Sequence, residues 1–140
     1  MGDAGLTDDL ETARSLASAE VNRAAGELRL NWITDIPGQA MVYLQKYDEA
    51  RRYLAQAILP FDLGDYPFLQ AEVGVTGDSP QAVAQVIVSL GNQWTAVAVE
   101  IETARLGAVK AIREAESLAE IHAAQGAGLS AIATIMDFGG

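Results

Sequence analysis

The sequence has no cysteine, one histidine and few cationic side chains, and each shortage argues against a class of function. Without cysteine the chain forms no disulfide and offers no thiolate metal ligand, and His122 alone cannot complete a zinc or iron centre. Neither a nucleophile elbow of the G-x-S-x-G type nor a phosphate-binding glycine loop is present. We therefore expect no catalytic residues, no cofactor and no metal.

Basic residues are outnumbered, with nine Lys and Arg against nineteen Asp and Glu, which gives a formal net charge of −10. This excess opposes the electrostatic attraction that supplies most nucleic-acid affinity. No Lys or Arg occurs anywhere in residues 53–104. We expect no binding to nucleic acid, and we expect any charged partner of this segment to be basic.

The first residues lack the basic and apolar regions of a signal peptide. No run of about 18 consecutive apolar residues is evident, which is the length that a membrane span needs. The sequence thus predicts a chain made in the cytoplasm, without a membrane span.

Apolar residues at helical spacing predict an all-α fold. Asp8 and Glu11 resemble a capping box, and an apolar stripe then recurs every three or four residues at Leu10, Ala13, Ala17, Val21, Ala24 and Leu28. After a Pro37-Gly38 turn, a second helix is predicted from Gln39 to about Ile58, with a buried face made of Ala40, Tyr43, Leu44, Tyr47, Leu54 and Ile58. Because the turn is short, we expect the two helices to form an antiparallel hairpin.

Two prolines and a glycine predict a loop over residues 59–67 that carries Phe61 and Tyr66 back to the core. Pro67 would begin a short helix, and Asp78-Ser79-Pro80 would begin a long one. The long helix has a heptad stripe at Val83, Ile87, Leu90, Trp94, Val97, Ile101, Ala104, Ala108, Ala111, Ala115, Leu118 and His122. Together these helices predict a small helical bundle domain over residues 1–125.

Residues 126–140 form a separate region, in which Gly126 and Gly128 precede an apolar stretch. This pattern predicts a flexible apolar tail behind a hinge. The candidate partner-binding residues of the tail are Leu129, Ile132, Ile135, Met136 and Phe138. The alternative is that the tail folds back on the bundle, and the sequence does not decide between the two.

The aromatic residues allow two interpretations, a compact core or the lining of a ligand pocket. They are Trp32, Tyr43, Tyr47, Tyr53, Phe61, Tyr66, Phe68 and Trp94. At helical spacing beside alanine-rich faces, aromatic side chains more often make a core, and we expect Trp94 to pack against Tyr43 and Tyr47. A pocket would need a convergent polar group, for which Lys46 and Arg51 are candidates.

Several short motifs carry a resemblance to a known group of proteins. They are Trp32-Ile33-Thr34, Pro37-Gly38-Gln39, Tyr43, Lys46, Glu49-Ala50 and Tyr53-Leu54, followed by Tyr66-Pro67-Phe68-Leu69 and a stretch from Trp94 that includes Ile101-Glu102. With this pattern the chain resembles small helical proteins and terminal domains encoded among the tail genes of tailed bacteriophages. The resemblance implies a protein of the tail tip, the fibre or fibre assembly, with no enzymatic residues.

The sequence and this resemblance together predict a non-enzymatic structural or accessory component of a bacteriophage tail, located in the virion. Its partners would be fibre or baseplate subunits, bound through basic or apolar patches, and a homo-oligomer is compatible with the long helix. The alternative is an assembly chaperone for the tail or its fibre that does not stay in the virion. A third hypothesis from another class is a small-molecule-binding or enzymatic bundle with the aromatic cluster as its pocket.

Overall fold

A computed structural model describes residues 2–32 and 38–139, and the side chains of residues 9–32 and 38–135. Its helices are α1 (Gly2–Arg29), α2 (Gln39–Leu54), α3 (Pro67–Glu72), α4 (Pro80–Glu114) and α5 (Leu118–Gly139). Within the described residues, the remaining regular pairing is one isolated bridge between Val73 and Gly77. The predicted all-α fold is confirmed.

The chain divides into two compact units that share α4. The first unit consists of Met1–Trp32 and Val97–Gly140, and the second unit of Ile33–Ala96. Helices α1 and α2, expected to form a hairpin, belong to different units.

Small apolar side chains make the core of the first unit. The buried residues are Ala17, Val21, Ala25 and Leu28 on α1, Ile101, Ala108, Ile112 and Ala115 on or just after α4, and Ile121, Ile132 and Ile135 on α5. The stripe predicted for α1 is therefore a core face, although α1 begins at Gly2 rather than at the expected cap near Asp8. Alanine at many of these positions lets the helices approach closely.

Polar contacts fix the register of α1 on the last part of α4. The Arg14 guanidinium donates hydrogen bonds to the Ala115 carbonyl at 3.2 and 2.6 Å. Arg105 donates to Asn22 at 3.2 Å, and Arg29 pairs with Glu102 at 3.3 Å. Because partner numbers fall along α4 as they rise along α1, the two segments are antiparallel.

The predicted flexible tail is wrong, since α5 continues without interruption through Gly126 and Gly128. Helix α5 packs against α1, with Ile132 and Ile135 buried and Leu129 half-buried. At Gly128 an added methyl group would lie 2.5 Å from the Ala108 Cβ and 3.5 Å from a Val21 methyl group. This glycine permits close helix contact, so the fold-back alternative holds and residue 126 is not a domain boundary.

The long helix also ends earlier than its heptad stripe predicts. Helix α4 stops at Glu114, and Leu118 and His122, expected on the same stripe, are exposed residues of α5. The break is stabilised by a capping arrangement, in which the Ser117 hydroxyl accepts a hydrogen bond from the Glu120 N–H at 3.1 Å. The Glu120 carboxylate in turn accepts from the Glu116 N–H at 2.6 Å.

The second unit has a separate core, which consists of Ala50, Tyr53, Tyr66, Leu69, Val83, Ala84 and Ile87. The rings of Tyr53 and Tyr66 meet edge to face, with centroids 5.3 Å apart. Both predicted helix starts in this unit are confirmed. Pro67 is the first residue of α3, and the Ser79 hydroxyl accepts from the Ala82 N–H at 3.1 Å just before Pro80 begins α4.

Three large side chains predicted to be buried in this unit are exposed: Leu44, Ile58 and Phe61. Helix α2 ends at Leu54, one turn before the expected Ile58, so the helical spacing no longer places Ile58 on the buried face. Leu44 lies on the solvent side of α2. Only Tyr66 of the two aromatic residues expected to return to the core does so.

Candidate partner-binding surfaces

The described residues that carry the resemblance, and Tyr47 near them in the sequence, lie just after α1, just before α2, and on α2, α3 and α4 or next to them. Trp32 is half-buried after α1, Gly38 precedes α2 with φ +82°, and Gln39 begins α2. Pro37 lies outside the described residues. Tyr43, Tyr47 and Trp94 are half-buried in the second unit, and Ile101 is fully buried in the first.

Tyr47 makes the best-defined contact among these residues. Its ring lies directly over Gly91 of α4, where an added Cβ would collide with the ring. Its hydroxyl donates a hydrogen bond to the Asn92 side chain at 2.5 Å. The absence of a side chain at Gly91 lets the Tyr47 ring approach the helix closely, and this contact joins α2 to α4.

The segment between α2 and α3, which we call the 55–66 loop, exposes some apolar side chains to solvent while others pack on the second core. Leu59 and Leu63 pack against the second core, and Tyr66 is part of it. Ile58, just before Leu59, is 87% exposed, and Phe61, between Leu59 and Leu63, is fully exposed. The loop is therefore held to the core by some of its apolar residues, while Ile58 and Phe61 remain exposed to solvent.

Backbone contacts also hold the loop. The Tyr66 N–H donates to the Leu63 carbonyl at 2.9 Å, and the Gly64 N–H donates to the Asp62 carboxylate at 2.9 Å. The second contact is a local turn of the kind that Asp favours. Asp62, which directly follows the exposed Phe61, is itself exposed.

Charges near the loop are negative, and the nearest cations on α2 have intramolecular contacts. Arg52 pairs with Asp48 at 2.9 Å and lies over the Tyr66 ring, 5.6 Å from its centroid. Arg51 lies over the Tyr47 ring at 5.8 Å. Asp62 and Asp65 are exposed, and neither makes an ion pair within the described residues.

Other exposed apolar residues lie on the helices. Met41 and Leu44 occupy one side of α2, and Leu90 is exposed on α4. In the first unit, Leu16 is exposed and borders a shallow depression on α1 that is also lined by Glu11, Thr12 and Ser15. Single exposed leucines are common on protein surfaces, so these residues are weaker indications of a partner than the loop.

Of the tail residues predicted to bind a partner, Ile132 and Ile135 are buried within the first unit. They pack on the chain itself because α5 is a helix with an apolar side facing α1, so they are not available to a partner. Leu129 is half-buried. The side chains of Met136 and Phe138 lie outside the described residues.

A polar cluster that the sequence analysis did not single out joins α2 to α3. The Lys46 ammonium pairs with the Glu72 carboxylate at 2.7 Å, and the Thr76 hydroxyl donates to the same carboxylate at 2.6 Å. Burial alone would raise the pKa of Glu72, but the bonds from Lys46 and Thr76 outweigh it and the pKa lies below its usual value. This cluster ties α3 to α2.

Glu49 is a buried carboxylate with a structural role. Only 3% exposed, it accepts a hydrogen bond from the Leu69 N–H at 2.9 Å. Leu69 lies in the first turn of α3, whose N–H groups have no partner within the helix. The side chain of Glu49 therefore caps α3 from α2.

The pocket hypothesis would require Lys46 or Arg51 to converge with the aromatic residues on one cavity. Lys46 instead pairs with Glu72 and lies 5.7 Å from the centroid of the Tyr43 ring, while Arg51 covers Tyr47. In the described part of the chain no group of three or more His, Asp or Glu side chains could hold a metal ion, and His122 is exposed.

Helix α4 is long and apolar enough to cross a membrane by length and composition, contrary to the expectation that no such stretch exists. Residues 80–99 lack charged side chains, so their mean hydropathy is high. They also contain uncharged polar residues, so they do not form a continuous apolar run. The core helices of water-soluble proteins meet the same test. This property is weak evidence and does not by itself assign a location.

Comparisons of the chain with protein-family models, curated proteins and solved structures give no match.

Proposed function

We propose that this chain is a non-enzymatic accessory subunit of a bacteriophage tail that acts by binding other tail proteins. The observation that supports partner binding is the 55–66 loop, which exposes Ile58 and Phe61 although Leu59 and Leu63 anchor it to the core. Large apolar side chains held in water lose the free energy that burial would provide, about 1.5–3 kcal/mol each. A partner that covers them recovers this energy.

The tail assignment itself depends on the motif resemblance around Trp32, Gly38 and Tyr43. The partners of the chain would be fibre or baseplate subunits, and the chain would reside in the virion. The net charge of −10 favours partners with basic surfaces and disfavours nucleic acid.

An assembly chaperone of the tail or its fibre is the second candidate. The same exposed side chains would cover an apolar surface of a client protein until the client is incorporated. The two functions use one kind of surface and differ in whether the chain remains in the finished particle.

Quantitative peptide mass spectrometry on density-purified phage particles, and on the infected lysate, tests the proposal. An accessory subunit should be present in particles at a constant ratio to the major tail subunit. A chaperone should be absent from particles and bound to a tail protein in the lysate. Absence from particles, together with no tail protein bound in the lysate, would refute both.

A further inference from the structure

We infer that the 55–66 loop binds a partner protein by inserting Ile58 and Phe61 into an apolar pocket whose rim carries Lys or Arg side chains. The inference depends on the proposed function only for the identity of the partner. The chemistry of the surface follows from the loop itself.

The apolar part of the surface is suited to a protein pocket. Ile58 and Phe61 stand three residues apart, 87% and fully exposed respectively, and Leu59 between them faces the core. The loop does not have to fold before it binds, because two hydrogen bonds already hold it. The Tyr66 N–H donates to the Leu63 carbonyl, and the Gly64 N–H donates to the Asp62 carboxylate. A preorganised aromatic anchor of this kind commonly supplies a large share of the binding energy in an interface.

The exposed carboxylates of the loop favour a partner whose pocket is surrounded by Lys or Arg side chains. Asp62 and Asp65 follow Phe61 in the same loop, and residues 53–104 contain no Lys or Arg that could neutralise them. The nearest cations, Arg51 and Arg52, are engaged with Tyr47, Asp48 and Tyr66. A partner with Lys or Arg around its pocket would complement these charges and gain in association rate and specificity.

Two other occupants fit less well. A symmetric dimer through this loop would bring each copy's Asp62 and Asp65 close to the same residues of the other copy, which is repulsive. An anionic lipid surface would repel the same carboxylates. The structure therefore favours a different protein with a basic, apolar site.

Photo-crosslinking identifies the occupant. We would place p-benzoylphenylalanine at position 61 of the full chain, in the cells that naturally make it, and at position 16 as a control, since Leu16 is also exposed but lies on α1 in the first unit. We expect position 61, and not position 16, to cross-link to one protein at a peptide with Lys or Arg beside apolar residues. If that protein is not a tail component, the surface is supported and the proposed function fails.

Cross-links from position 61 to another copy of this chain, to lipid or to peptides without basic residues would overturn the inference. So would a yield no higher than from position 16.

Affinity measurements with the cross-linked protein, purified, give the second test. Phe61→Ala should weaken binding at least tenfold, and the double change Asp62→Asn with Asp65→Asn should weaken it and flatten its dependence on salt. Leu16→Ala is the matched control, and circular dichroism should show each variant folded. Binding by Phe61→Ala within twofold of the Leu16→Ala variant would contradict the assignment.

Discussion

Glu49 is buried, and its carboxylate accepts a hydrogen bond from the N–H of Leu69, a residue of the second core. Burying an anion is costly unless hydrogen bonds replace its hydration. Here the bond also satisfies a donor in the first turn of α3 that would otherwise be buried without a partner. One side chain thus links the position of α3 to α2.

Replacing Glu49 by Ala should lower the free energy of unfolding by about 1–3 kcal/mol, because the Leu69 N–H loses its acceptor. Glu49→Gln keeps an amide oxygen at the same place and should cost clearly less. Urea unfolding of the full chain measures both. Equal stability of the two variants would show that the hydrogen bond contributes little.

Glu72 makes stability depend on pH in a defined direction. Its pKa in the folded chain is lowered, since the bonds from Lys46 and Thr76 outweigh the effect of burial. The stabilisation is therefore fully present above the carboxyl pKa of the unfolded chain, about 4.3, and is lost as the pH falls through the lower folded pKa.

Glu72→Gln should cost about 1 kcal/mol at neutral pH, and its stability should fall less steeply than that of the wild type below about pH 5. The control is Glu100→Gln, a change at an exposed glutamate of α4 that should alter neither quantity appreciably. Unfolding curves at several pH values make the comparison. Parallel pH profiles for wild type and Glu72→Gln would contradict the role of the ion pair.

Single residues also show where the sequence misled. Ile58 was predicted to lie on the buried face of α2, but no proline or glycine marks the end of that helix before Pro60, and periodicity alone does not locate a helix end. Phe61 was assigned to the core by its type. Which apolar side chains of a loop face inward depends on the path of its backbone, which local sequence does not determine.

At the scale of helices, the start signals that contain a proline were reliable, whereas the predicted start at Asp8 and the predicted breaks were not. Ser79-Pro80 and Pro67 begin helices as predicted, because a capping hydroxyl and a proline at the first position act locally. The break after Glu114 was missed because an apolar stripe at heptad spacing continues across it. The signal that could have located it is Ser117 with Glu120 three residues later, a capping box.

Gly126 and Gly128 predict a hinge from sequence, whereas the structure places both within the continuous helix α5. Gly128 stands where α5 meets Ala108 and Val21, and around Gly126 there is open space. In the sequence both glycines are equally weak helix formers. Only the structure shows that Gly128 is in close contact with other helices and that Gly126 is not.

The two glycines therefore give a matched pair of substitutions. Gly126→Ala should stabilise the chain by up to about 1 kcal/mol through helix propensity alone. Gly128→Ala should destabilise it by about 1–3 kcal/mol, because the new methyl group would overlap the Ala108 side chain. Thermal or urea unfolding decides. Stabilisation by both changes would mean that α5 does not pack closely at Gly128.

For the whole molecule, the helical class and the acidic character follow from periodicity and composition, but the division into two units does not. The boundary between Ala96 and Val97 falls inside α4, where no loop or linker composition marks it. The prediction that Ile132 and Ile135 bind a partner was also wrong, since both side chains are buried within the first unit. An apolar helix face that packs within the chain and one that binds a partner have the same sequence pattern.

The central claim is that the 55–66 loop binds the partner, whereas the segment 126–135 packs within the first unit through Ile132 and Ile135. Amide hydrogen exchange of the full chain, free and bound to the protein that cross-links at position 61, tests it most directly. We expect exchange to slow on binding in residues 56–66 and to remain unchanged in residues 126–139. Slower exchange in residues 126–139, with no change in residues 56–66, would contradict the claim and restore the carboxyl-terminal segment as the binding site.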